Sequence, residues 1–258
     1  MGIDFDSDLG KLQRLMAESI AGTTRRNAIL NELQIHAGDN IIDVGCGAGH
    51  LLTHLAKAVG DSGTVYGLDP SEAQIEQARK RCSEFVNIKY IKRNADESQL
   101  RTDSCHSVTS TQALEYIPDV EPALDEITRI LKPGGVFVNV SILWDHLKFH
   151  GANEGLNRKI HDAFRAHCSH QMLPMELPGK LGRRGFKNIK DKSLAFVITR
   201  RDSNSPARYS EAVMANFALT QGVSAEEVSD WKFQLEKAEQ QGRFGFASFP
   251  VLTSAHLN

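Results

Sequence analysis

A chain of 258 residues with 41% hydrophobic and 24% charged side chains can build a packed core and is not a low-complexity polymer. Its 30 basic and 32 acidic residues are interspersed and sum to a net charge of -2, so nothing indicates a general binder of nucleic-acid phosphates. No stretch approaches the roughly 18 apolar residues of a spanning helix, and the four cysteines, Cys46, Cys82, Cys105 and Cys168, lack CxxC spacing, which indicates reduced thiols in a cytoplasmic protein with no metal site.

The chain opens with MGIDFDSDLG, acidic and without the apolar centre of a secretory signal. Gly2 hints at myristoylation, but Asp6 stands where that signal wants Ser or Thr. Residues 8 to 35 carry a broken amphipathic pattern, Leu9, Leu12, Leu15 and Met16, then Ile29, Leu30 and Leu33, which predicts one or two lead-in helices. From Asn40 onward, short runs rich in Ile and Val alternate with segments of helical period. Strands are predicted at 41–44, 64–69, 87–92, 107–114 and 135–142. Between them, Leu51, Leu52, Leu55, Ala56 and Val59 share one helix face, as do Ile75, Ala78 and Cys82, and then Val120, Ala123, Leu124, Ile127, Ile130 and Leu131. Ser71 is placed as a helix cap, and Lys132-Pro133-Gly134-Gly135 stops the fourth helix, the one over 120–131. Such alternation predicts a parallel sheet covered on both sides. Beyond it, 146–184 reads as mostly helical, with LGRRGFKNIK as a helix end and turn, and 193–200 as a strand. Residues 205–241 read as two helices broken near Gly222, and 243–257 as a final strand in which Pro250 marks an irregularity or a sheet edge. Asn139-Val140-Ser141 matches a glycosylation acceptor but falls inside a predicted buried strand.

The chemistry concentrates in IIDVGCGAGH, residues 41–50. In a doubly wound sheet the first strand-to-helix turn lies where ligands bind. Gly45 allows the tight turn, Gly47 the close approach of a ligand and Gly49 the packing of the following helix, and backbone amides at that helix start are expected to face the ligand. A nucleotide-like molecule fits. The dinucleotide fingerprint G-x-G-x-x-G does not, because counting from Gly45 its third glycine falls on His50; a nicotinamide oxidoreductase is thereby disfavoured.

The pattern D-x-G-x-G-x-G from Asp43 resembles the first motif of the class I S-adenosylmethionine-dependent methyltransferases. STQALEYIPDVEPALDEITRILKPGGVFVNV is similar to the fourth strand, fourth helix and fifth strand of the menaquinone/ubiquinone-biosynthesis type, grouped as type 11. The resemblance covers about residues 22 to 145 and implies an α/β fold, a doubly wound, seven-stranded, mostly parallel Rossmann-like sheet. It implies one methyltransferase domain over 1–258, with a cofactor core at 22–145 and helical lid insertions for the acceptor at 146–184 and 205–241. S-adenosyl-L-methionine is the implied cofactor. Its contacts would come from Asp43, Gly45, Cys46, Gly47 and Gly49, from Asp69 and Pro70 at the ribose, from Ala95 and Asp96 at the adenine, and from Gln112 at the methionine part. Two departures stand out: Cys105-His106 where the family often has Phe-Asp, and Gln74 where an apolar residue usually lies along the adenine.

A sulfonium methyl is already activated, so holding an acceptor in line behind it supplies most of the catalysis, roughly 7 to 11 kcal/mol. A base is needed only if the acceptor must lose a proton. Candidates are Tyr116, to orient an acceptor, and His146, as base, with Trp144, Asp145 and His150 nearby in sequence. Arg25 or Arg26 would bind the cofactor carboxylate or form a solvated pair. Met172, Leu173, Met175, Phe196, Phe217, Trp231 and Phe233 would line an acceptor pocket or serve as plain core. The tetrapeptide of methyltransferases acting on adenine or amide nitrogens is replaced by Gln112-Ala113-Leu114-Glu115, which favours a small-molecule acceptor over nucleic acid or protein. The alternative is a protein of this fold that binds the cofactor without methylating. Oligomeric state is not legible.

Overall fold

The structure, a computed structural model, describes residues 15–258; Gly2, Asp6, Leu9 and Leu12 lie outside the described residues. Helix α1 (Ile20–Leu33) leads into β1 (Asn40–Val44), α2 (Leu52–Val59), β2 (Thr64–Leu68), α3 (Glu72–Arg81), β3 (Ile88–Ile91) and β4 (Cys105–Thr111). Then come α4 (Glu121–Ile130), β5 (Leu131–Ile142), β6 (Lys148–His150), α5 (Glu154–Phe164) and α6 (Leu173–Arg183). The chain ends with β7 (Phe186–Ser193), β8 (Phe196–Ile198), α7 (Pro206–Thr220), α8 (Ala225–Gln240), β9 (Gly245–Ser248) and β10 (Pro250–Leu257).

Seven strands form one sheet in the order β3-β2-β1-β4-β5-β10-β7. Strands β1 to β5 pair in parallel, and β10 runs antiparallel to both β5 and β7, giving the doubly wound, mostly parallel sheet expected. The order reverses at β1 and β4, whose carboxyl ends carry Asp43 and Gln112. Because helices cover these strands, β1 is buried from Ile41 to Val44 rather than alternating. Leu124, Ile127 and Ile130 of α4 and Leu173, Leu177 and Leu181 of α6 share one core with Ile42, Val44, Val108 and Phe137. Ser71 caps α3 by accepting the Gln74 N–H, and Arg79, Lys80 and Arg81 sit at the helix's negative end.

The chain divides into two compact units. Arg26–Ile142, Met172–Ser193 and Pro250–Asn258 make the sheet unit; Leu143–Gln171 and Leu194–Phe249, with residues 15–25, make the helical unit, so α1 passes through the division. In the helical unit, α5, α7 and α8 enclose a core around Trp231, Phe149 and Phe246, with β6, β9 and β8 as a three-stranded antiparallel sheet. Trp231 is fully buried, its indole N–H donates to Asn157 Oδ1 at 2.9 Å and its ring meets Phe149 edge-on at 5.4 Å.

Three sequence expectations change. Predicted strand 107–114 ends at Thr111, because Gln112 adopts a left-handed φ of 50° and turns the chain. LGRRGFKNIK is a helix end followed directly by β7, while the strand expected at 193–200 shrinks to β8. The run 243–257 is two strands, β9 in the three-stranded sheet and β10 in the seven-stranded one, and Pro250, first residue of β10, marks the expected irregularity, the break between them, and not a sheet edge. Opening a strand is the place where a missing N–H costs least.

Candidate active site

Around the glycine loop the three glycines separate by what a side chain would meet. A Cβ on Gly45 would lie 2.2 Å from Ala113 Cβ, and one on Gly49 3.0 Å from Ala78 Cβ; both positions are bare because protein packs there. A Cβ on Gly47 would meet only Gln74 Oε1, at an ordinary 3.7 Å. Gly47 has a left-handed φ of 51°, so the chain is shaped for glycine while leaving room beside it.

The amides of this loop are already engaged. Gly45 and Cys46 N–H both donate to the Leu68 carbonyl, at 2.8 and 3.0 Å, and Gly49 N–H donates to Cys46 O at 3.1 Å. Gly47 N–H donates to Asp69 Oδ2 at 2.9 Å, while Ser71 N–H donates to Asp69 Oδ1 at 2.9 Å. The amides of Gly45, Cys46, Gly47 and Gly49 are thus taken up by the protein's own acceptors, and any amide that faces a ligand comes from elsewhere in the helix start. An amide nest for a pyrophosphate is not what the loop offers. Arg81 donates to the Ala48 carbonyl from α3 and ties the loop to that helix.

What the loop does offer is acceptors. Asp43, at the end of β1, is 3% exposed, and its Oδ1 has no hydrogen-bond partner. Gln74, in the first turn of α3, is buried with Oε1 likewise unpartnered. Asp69 keeps a second lone pair on each oxygen beyond its two backbone bonds. Burial first, and the Asp69 carboxylate second, push the Asp43 carboxyl up to about 7. Burial also raises Asp69, against the two amide bonds that lower it. The Cys46 thiol, raised well above its ordinary value by burial and both carboxylates, stays neutral. A group rich in hydrogen-bond donors and carrying positive charge fits such a lining; S-adenosylmethionine, with ribose hydroxyls, an adenine amine, an ammonium and a sulfonium, is one.

The other expected site residues are placed as follows. Pro70 is exposed beside the Asp69 turn. Ala95 is partly buried and Asp96 exposed in the turn closed by Glu97 N–H on Asn94 O. Gln112 N–H donates to Val140 O at 2.7 Å, fixing the turn at the tip of β4. Tyr116 stands half-exposed on the single helical turn Leu114–Tyr116 that follows. His146 belongs to the helical unit, exposed on the turn Trp144–His146 with its ring edge-on to Phe249 at 6.3 Å. Arg25 also falls in the helical unit, where its charge draws the Tyr209 phenol down while burial carries it up to about 12; Arg26 falls in the sheet unit. Of the aromatic and thioether candidates, Leu173 and Trp231 are core of separate units, and Met175 and Phe233 are largely exposed.

Two features were missed. Glu115, beside Tyr116, is fully buried, and its Oε2 accepts from Ser141 Oγ at 2.8 Å, which in turn accepts from Asn139 Nδ2 at 3.0 Å. The signal was present as polar residues inside the apolar run of β5; it also explains why Asn139 is no glycosylation site. Second, the helical unit holds a cavity of about 250 Å³ lined by Trp144, Leu147, Phe164, His161, Arg165 and Gln171. Trp144 Nε1 is buried without a partner, and burial pulls His161 down to about 4, so its ring is neutral at pH 7.

An open α/β sheet with a bare, acceptor-lined turn at the switch between β1 and β4 defines a Rossmann-like nucleoside-binding protein. The methyltransferase-domain family profile matches residues 35–194, more than half of the chain, and the chain belongs to that family. A demethylmenaquinone methyltransferase of Staphylococcus aureus is 34% identical over 113 residues, 44% of this chain and 47% of the relative. The chain spans less than half the length of the curated relatives it matches. Among solved structures, the YcgJ protein of Bacillus subtilis aligns with a TM-score of 0.63 at 17% identity, over 90% of this chain and 97% of that one. Geranyl diphosphate C-methyltransferase of Streptomyces coelicolor, solved with S-adenosyl-L-homocysteine, aligns at 0.58 and 16%, over 92% and 76%. These likenesses bear out the class I methyltransferase fold.

Proposed function

We propose that the chain holds S-adenosylmethionine in the sheet unit and transfers its methyl group to an oxygen, nitrogen or carbon of a small-molecule acceptor. One observation carries this reading: the space at Gly47 is bounded by the unpartnered Gln74 Oε1 and by the Asp69 carboxylate, whose charge also acts on the buried, unpartnered Asp43. When bound, the cofactor supplies a methyl group already activated by positively charged sulfur. Asp69, held rigid by the Gly47 and Ser71 amides, accepts from two neighbouring ribose hydroxyls; Gln74 and the 94–96 turn take the adenine edge; Asp43 and Gln112 face the amino-acid tail. Rate enhancement rests chiefly on position, about 7 to 11 kcal/mol, so a missing general base is no obstacle. Within the sheet unit, Tyr116 is proposed to orient the acceptor.

The helical unit, taken by itself, is proposed to hold a small-molecule site. Its 250 Å³ cavity sets Trp144, Leu147 and Phe164 among charged side chains, Asp145, Lys148, Arg158 and Asp162 included, with a neutral His161 beside them, a lining suited to a compact polar molecule that has one apolar or aromatic face. The likeness to a demethylmenaquinone methyltransferase supports an aromatic or prenylated acceptor. Titration calorimetry with S-adenosylmethionine and S-adenosylhomocysteine tests the first half: saturable binding of both is expected, and none by the folded protein ends the reading. Incubation with extracts of small metabolites tests the second, by a mass gain of one methylene on an acceptor; cofactor binding without any such product would favour the non-methylating alternative.

A further inference from the structure

Two buried carboxylates stand at the tips of the paired strands β1 and β2, near enough for the charge of Asp69 to act on Asp43. Asp43 and Asp69 are 3% and 8% exposed. Neither is paired with a lysine, arginine or histidine among the described residues; the charge that acts on Asp43 is that of Asp69. Neutral groups come to them from β4, α3 and the loop. From β4, Thr109 pairs with Asp43 in register, and its hydroxyl has no partner. From α3 comes the Gln74 amide, and from the loop the protonated Cys46 thiol. Asp69 at least has two amide donors, whereas Asp43 Oδ1 has none.

Two uncompensated negative charges in so dry a place are costly, and the molecule has two ways to relieve the cost: a proton or a cationic ligand. We propose that the Asp43–Asp69 pair makes this cradle selective for cations, carrying one proton in the free protein that leaves to solvent when a positively charged ligand binds. The proton resides on Asp43, the more buried and less hydrogen-bonded of the two. A neutral ligand of similar shape does not displace it. No covalent bond other than the carboxyl O–H changes.

The inference rests on the reading of this cradle as the cofactor site, and the test separates the two. The full chain is titrated calorimetrically at pH 6 in two buffers of different ionisation enthalpy, with S-adenosylmethionine and with 5′-methylthioadenosine, which keeps the nucleoside and sulfur but has no charged tail. Release of close to one proton is expected with the first and none with the second. With the Asp43 carboxyl near 7, the Kd for S-adenosylmethionine should weaken about tenfold between pH 7 and 5.5, a range below the ordinary titration of the ligand's amine. Asp43→Asn should abolish both the release and the pH dependence; should that variant not fold, the two-buffer comparison on the unaltered chain decides. Saturable S-adenosylmethionine binding with no proton release and a flat pH profile overturns the inference and leaves the cofactor reading standing. No binding of either nucleoside by the folded protein overturns the cofactor reading and this inference with it.

Discussion

At the scale of the residue, Asp69 does two jobs that a single substitution can separate. Its oxygens hold the Gly47 and Ser71 amides and, in our reading, the ribose. Asp69→Ala should weaken cofactor binding by about 1.5 to 3 kcal/mol and also lower the melting temperature, because two amides lose their acceptor; calorimetry and thermal denaturation read the two effects. Unchanged affinity removes Asp69 from the site. The glycines give a sharper contrast. Gly45→Ala places a methyl 2.2 Å from Ala113 Cβ and should destabilise the ligand-free fold by about 1 to 3 kcal/mol. Gly47→Val meets no such wall, so beyond roughly 1 to 2 kcal/mol of left-handed backbone strain its main effect should be loss of cofactor binding. Normal binding by that variant contradicts the close-approach argument. Asp43, Gly47 and Asp69 were readable from spacing and resemblance. That the amides of the turn were spoken for was not, since their acceptors, Leu68 O and Asp69, lie more than 20 positions away.

At the scale of the element, helix starts and stops carried their own signals. Ser224 begins α8 with a reciprocal cap: its hydroxyl accepts the Glu227 N–H at 3.2 Å and the Glu227 carboxylate accepts the Ser224 N–H at 3.2 Å. Ser224→Ala should cost about 1 kcal/mol in chemical denaturation and speed amide exchange in the first turn of α8. An unchanged denaturation midpoint would mean that Trp231 and its neighbours alone fix the helix. The β7 strand was illegible for an equally local reason. FKNIKDKS lies at the sheet edge with all but Phe186 and Ile189 exposed, so it carries lysines where a central strand carries valines. No apolar periodicity survives to announce it. The central strands, buried on both faces, announce themselves.

At the scale of the whole molecule, the two units respond to acid in opposite directions. The folded-state value of Asp43 lies above its unfolded one, so the sheet unit gains stability as pH falls from about 7 toward 4, the range in which the folded form binds the extra proton. His161 and His167 in the helical unit are pulled down to about 4 by burial, so that unit is most stable above the ordinary histidine value of 6.5 and loses stability as pH falls toward 4. Hydrogen exchange of the ligand-free chain, corrected for intrinsic rates, should therefore show α5 losing protection between pH 7 and 5 while β1 and β2 hold or gain it. Parallel changes in both would refute the assignment of these groups. The amino-acid sequence by itself determined the alternation of strands and helices and the glycine turn, because short-range periodicity and side-chain size act within a few residues. Only the tertiary structure decided that Gly45 and Gly49 serve packing while Gly47 leaves space, that β10 inserts antiparallel between β5 and β7, and that Asp43 and Asp69 are buried with no lysine, arginine or histidine partner among the described residues. Those facts depend on which distant segments meet, and burial and Coulomb interaction act through space rather than along the chain.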